Sequence, residues 1–145
     1  MLHKLHKFTV PIHDLVEIYI LYIRSILESS CVVWHSSLTQ GQEYEIKRVQ
    51  KVTLKIILKG DYKSYEDALS LCNLQTLADR RTHLCLSFAQ KCVKSERNRK
   101  MFPMKPPSGH YTRNPEKYIV TKASSDRLKY SAIPYMQKLL NACKQ

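Results

Sequence analysis

Between positions 15 and 30 apolar residues recur at helical spacing: Leu15, Ile18, Tyr19, Tyr22, Ile23, Ile26 and Leu27. They cover more than one face, which predicts a central helix, and Val32, Val33 and Trp34 continue the pattern. Pro11 stops whatever precedes this helix, and Asp14 is placed to cap it. Thr39-x-x-Gln42 has the form of a capping box and opens a helix predicted to run to about Leu58, with Gly60 placed to end it. Its buried stripe is expected at Ile46, Val49, Val52, Thr53, Ile56 and Ile57. Lys47, Lys51, Lys55 and Lys59 recur every four residues on another side, with Arg48 beside them. Glu43 and Glu45 favour the first turn electrostatically, and Glu43 precedes Lys47 in the better orientation for a surface pair.

Ser64-x-x-Asp67 predicts a short helix over 65–72, with Asn73 as its stop. Thr76-x-x-Asp79 opens a longer one whose apolar face is Leu77, Leu84, Cys85, Phe88, Ala89, Cys92 and Val93, with Arg80, Arg81, Lys91 and Lys94 elsewhere on it. Beyond Glu96, Pro103, Pro106, Pro107, Gly109 and Pro115 forbid a continuous helix. Order is expected to return as a short strand over 118–120 and a terminal helix over 133–141, capped by Ser131 with Pro134 in its first turn. The chain thus reads as all-α: a small helical bundle with an extended basic C-terminal arm and a short terminal helix. The expected divisions are a bundle over 1–97, an arm over 98–130 and the terminal helix over 131–145.

Composition agrees with a folded chain. Of 145 residues 43% are hydrophobic, enough for a real core and against wholesale disorder. The formal net charge is +12, which calls for a polyanionic partner: nucleic acid first, an anionic membrane second, an acidic protein third. The excess is uneven. Residues 1–93 hold 12 Lys and Arg against 9 Asp and Glu, whereas residues 94–145 hold 12 against 3. A folded core tolerates limited self-repulsion, and a segment lying on phosphates escapes that limit. Five cysteines at wide spacings, with no secretory signal ahead of them, fit reduced thiols in an intracellular protein, nuclear or cytoplasmic. The most apolar stretch, 15–27, is interrupted by Glu17 and Arg24 and is too short to cross a bilayer, so no membrane partner is expected.

The chemistry of catalysis is not evident. His83-x-Cys85 and the Cys85…Cys92 pair lack zinc-site spacing, and no cofactor or metal is implied. Neither a phosphate-cradling glycine loop nor an H-E-x-x-H helix occurs. Glu66 and Asp67 are adjacent at a helix start, so they do not face one two-metal site, and capping accounts for Asp67. What remains is binding. Basic residues interleave with aromatics at Lys105, His110, Tyr111, Arg113, Lys117, Tyr118, Lys122, Arg127, Lys129, Tyr130 and Tyr135, where cations can neutralise phosphates and rings can stack on bases.

Ordered blocks of this sequence resemble the region downstream of the catalytic palm in jockey-like and CR1-like non-LTR retrotransposon reverse transcriptases. The blocks are His6–Pro11; Leu15-Val16-x-x-Tyr19 through Ile23–Glu28 and Val33–His35; Ile46-x-Arg48-Val49-Gln50-Lys51 with Ile56–Leu58; Tyr65-Glu66-x-Ala68-Leu69 with Leu77-x-x-Arg80-Arg81; and Ser131–Tyr135 with Leu139–Asn141. They span nearly the whole chain. The resemblance implies a thumb-like or post-thumb bundle that holds RNA or DNA beside a palm. The family's Tyr-x-Asp-Asp palm motif and its endonuclease are missing, and Ile46 stands where a Glu is common. The implied chain is a non-catalytic, truncated copy that starts at an internal methionine of an RNA-directed DNA polymerase. On that reading Tyr19, Tyr22, Ile23, Leu27, Trp34, Val49, Ile56, Leu84 and Phe88 form the core. Lys47, Lys51, Arg113, Lys117, Arg127 and Lys129 touch phosphate. Residues 1–40 also resemble the N-terminal segment of an AlkB-type tRNA-modifying dioxygenase family, without its iron-binding or methyltransferase parts. The competing expectations are a helical protein–protein interaction module, possible through self-association or a missing palm, and a functionless relic of a mobile element.

Overall fold

A computed structural model describes residues 4–5, 8, 10–106 and 117–143. The fold is all-α. In chain order the helices are α1 (Ile12–Ile18), a π-helical segment (Tyr19–Arg24), α2 (Ser25–Glu28), α3 (Cys31–Trp34), α4 (Gln40–Leu58), α5 (Tyr65–Leu71), α6 (Leu77–Lys94), α7 (Asp126–Lys129) and α8 (Ala132–Ala142). The chain divides into two compact units: Met1–Ser29 with Leu38–Arg81, and Ser30–Ser37 with Thr82–Gln145.

The first unit is organised by α4. Its start is the expected capping box: the Thr39 hydroxyl accepts from the Gln42 amide (3.3 Å), and the Thr39 amide donates to Gln42 Oε1 (3.0 Å). Its buried face is Gln50, Thr53, Leu54, Ile57 and Leu58. The expected stripe was right at Thr53 and Ile57 and partly right at Ile46 and Ile56, which are half-buried, whereas Val49 (41%) and Val52 (47%) face solvent. The inward face runs instead through a polar residue in line with Leu54 and Leu58. Gln50 is wholly buried; its Oε1 accepts from the Tyr65 hydroxyl (2.7 Å) and the Leu77 amide (3.3 Å), and its Nε2 donates to the Gln75 carbonyl (3.1 Å). A buried amide with its hydrogen bonds satisfied is tolerated in the core, and it lies in line with the apolar residues of this face.

Two apolar clusters flank this point. Leu54, Leu58, Tyr65, Ala68 and Leu69 form one, and Leu15, Tyr19 and Ile57 the other. Helix α4 runs to Leu58 as expected, but the residue that caps it is Lys59, not Gly60: Lys59 takes φ 45° and ψ −109°. Helix α5 is capped by Ser64, whose hydroxyl accepts from the Asp67 amide (3.1 Å). It ends in a Schellman turn, with Asn73 at φ 50° and the Leu74 amide bonded to the Leu69 carbonyl (2.8 Å). Helix α1 begins after Pro11, and Asp14 lies in its first turn beside His13 rather than at the cap. Tyr22 is 60% exposed and Ile23 and Leu27 are only half-buried, so of the expected core residues in this run Tyr19 alone is fully enclosed. Arg80 grips Glu28 with two nitrogens (2.6 and 3.1 Å), while Arg81, expected on the surface, is 1% exposed.

The second unit is built on the later turns of α6 and on α8. Cys85, Ala89, Cys92, Phe102, Tyr118 and Met136 make its core. Trp34 and Leu84 are half-buried and Phe88 is exposed. Phe102 and Tyr118 come from the stretch read as an arm. Two side chains of α8 hold that stretch. Gln137 Oε1 accepts from the Thr121 amide and hydroxyl (2.8 and 3.1 Å), while its Nε2 donates to the Met101 carbonyl (2.8 Å). Asn141 accepts from the Tyr118 amide and donates to the Tyr118 carbonyl (both 2.9 Å), as a partner strand would. In place of a strand over 118–120 there is a single antiparallel bridge, Met104 to Tyr118.

Two outcomes follow. Gln50→Ala strands the Tyr65 hydroxyl, the Leu77 amide and the Gln75 carbonyl, and should lower stability by ~2–3 kcal/mol in a denaturant melt. Val49→Lys, one residue along the same helix, should change it by less than about 0.5 kcal/mol. Burial also lifts the Tyr19 phenol from its ordinary value near 10 to about 12. The folded state therefore holds that proton more tightly than the unfolded chain. Its contribution is complete below pH 10 and is lost as pH rises through 12. Between pH 9 and pH 11 the chain should lose about 1 kcal/mol more than its Tyr19→Phe variant.

Candidate nucleic-acid interface

Turning Gln50 inward turns the lysine row of α4 outward. Lys47, Lys51 and Lys55 are exposed at successive turns. The expected Glu43–Lys47 pair does not form. Instead the Lys47 ammonium sits 5.0 Å from the centre of the Tyr65 ring, and Lys55 sits 5.4 Å from that of Tyr62. Arg48 pairs loosely with Glu45 (3.5 Å).

The segment after α4 returns along this face and closes a shallow cavity of about 390 Å³, lined by Lys47, Lys51, Lys55, Tyr62, Lys63, Ser64, Tyr65 and Glu66. Four ammonium groups thus surround one concavity against a single carboxylate, Glu66. None of the four makes an ion pair among the described residues. Like charges gathered in this way repel, and a polyanion lying across them relieves the repulsion. Tyr65 is 6% exposed with its hydroxyl committed to Gln50; burial, then the nearby Glu66, raises its pKa, so it stays a protonated donor. Tyr62 is half-buried, and its hydroxyl closes no hydrogen bond among the described residues.

The remaining expected phosphate contacts belong to the second unit. Arg127 and Lys129 are exposed on α7, which Ser125 caps through the Leu128 amide (3.4 Å). Lys129 lies 5.3 Å from the Tyr130 ring centre, and Lys117 lies 5.9 Å from that of Tyr118. Arg113, with His110 and Tyr111, lies outside the described residues. The rings expected to stack on bases are largely committed. Tyr118 is core, and Tyr135 packs edge-on against His35 at 5.6 Å. Tyr130 is exposed but has Lys129 over it.

The structure therefore gathers Lys47 and Lys51 and adds Lys55 and Lys63, which were not among the expected site residues. The periodicity of α4 already carried Lys55. Lys63 becomes legible only once the chain is seen to double back after Lys59. Of the thiols, Cys31, Cys85 and Cys92 are buried, Cys143 is exposed, and burial pushes Cys72 and Cys92 up, away from the thiolate. No helix among the described residues is long and apolar enough to cross a membrane. No family model, curated protein or solved structure matches the chain.

Proposed function

We propose that the chain binds nucleic acid without catalysing a reaction on it, as the post-palm part of a retrotransposon-derived RNA-directed DNA polymerase. The supporting observation is the cluster of Lys47, Lys51, Lys55 and Lys63 around one open concavity, with Glu66 as the only carboxylate lining it among the described residues. A row of ammonium groups one helical turn apart, about 6 Å per step, can meet phosphates in succession along a strand. In the second unit we assign separate phosphate contacts to Lys117, Arg127 and Lys129, and the sequence resemblance adds Arg113. Ordered sequence blocks shared with jockey-like reverse transcriptases motivate the assignment of origin. Bond-making falls to a palm on another part of the polymerase.

Affinity for RNA or DNA should fall steeply with salt, because each phosphate contact releases condensed counterions. In the K47Q/K51Q/K55Q/K63Q variant the slope of log affinity against log salt on a single strand should flatten by about 3, at roughly 0.7 per phosphate contact. All four residues are exposed, so the variant should retain the parent melting profile. An unchanged slope in the folded variant, or a flat salt response of the parent chain, contradicts the proposal.

A further inference from the structure

We infer that Tyr44 is a stacking platform for one unpaired base, so that the lysine face of α4 takes single-stranded nucleic acid in preference to duplex. The inference rests on the nucleic-acid reading above and adds to it a residue and a ligand class. Successive residues of an α-helix point about 100° apart, so Tyr44 shares the direction of Lys51 and Lys55 to within about 20° and that of Lys47 to within about 60°. It stands about one turn before Lys47 and about 10 Å along the axis from Lys51. The ring is thus in line with the cations, at the N-terminal end of their row.

Its surroundings leave it available. Tyr44 is 65% exposed, and no ammonium lies over it among the described residues. The other two tyrosines of the site are committed: Tyr65 is buried beneath Lys47, and Lys55 covers Tyr62.

A base can reach such a ring only when it is unpaired and unstacked; in a duplex its faces are occupied by neighbouring base pairs. Lysines alone track any phosphate backbone. A free ring beside them adds a contact that only a single strand can use, and because every base has a π-face the preference is for strandedness rather than sequence.

The test compares the full chain with Tyr44→Ala and Tyr44→Phe by fluorescence anisotropy, on a mixed-sequence single strand and on the matching duplex. The single-strand affinity of Tyr44→Ala should fall roughly tenfold, the loss of one stacked base, with the salt slope unchanged. Tyr44→Phe should bind as the parent does, and neither variant should change on duplex. Equal single-strand affinity for Tyr44→Ala and the parent overturns the inference, as does an equal loss on both ligands. The K47Q/K51Q/K55Q/K63Q variant separates the two levels of the argument. If that variant binds normally, the nucleic-acid reading fails; if it loses binding while Tyr44→Ala does not, only the role of Tyr44 fails.

Discussion

The Gln50 side chain, in line with buried Leu54, Ile57 and Leu58, fixes the rotation of α4 about its own axis. Two donors and one acceptor converge on it in a place closed to water. Once that amide faces inward, a turn of the helix in either direction would strand buried polar groups, a larger penalty than the exposure of Val49 and Val52. The same three bonds join α4 to the start of α5 and to the turn before α6. The phenol of Tyr65 is fixed at the same time as the helix, and its ring becomes the floor over which Lys47 lies. One buried amide, with the apolar residues in line with it, therefore ties the core of the first unit to the direction in which its lysines point.

Lysines at a spacing of four are ordinary on a solvated helix. Here the chain doubles back after Lys59, brings Lys63 to the open side of the row, and supplies Tyr62 and Tyr65 as rings rather than carboxylates as neighbours. Cation–π contacts position the ammonium groups without neutralising them, as ion pairs would. The charge stays available to an outside anion. In the second unit Lys129 stands beside Tyr130 in the same way.

The helices were largely legible because capping is local. Thr39 with Gln42, Ser64 with Asp67 and Thr76 with Asp79 each begin a helix where short-range polar pairing says they should, and Asn73 ends one. Burial was less legible, because periodicity marks an apolar face but does not say which polar residue will displace it. Gln50 and Arg81 are enclosed at helical spacing from buried neighbours, Gln50 three and four residues before Thr53 and Leu54 and Arg81 four residues from Leu77 and Cys85, and Gln137 is enclosed too; their polarity, not their spacing, hid them. The proline-rich stretch misled for a related reason. Prolines forbid a helix, but they do not forbid docking, and Phe102 and Tyr118 are core residues because Gln137 and Asn141 of α8 satisfy the irregular backbone around them. At the site, Lys47 and Lys51 were readable from the row, whereas Lys63 and the ring contacts depended on the path of the chain.

The central claim is that the open face of α4 is where a phosphate polymer lies. Lysine acylation footprinting of the intact chain, with and without a saturating single-stranded oligonucleotide, tests it most directly. The account predicts that Lys47, Lys51, Lys55 and Lys63 become protected together, while Lys91, an exposed lysine of α6, keeps its reactivity. Bound oligonucleotide that leaves those four lysines as reactive as in the free chain would contradict it.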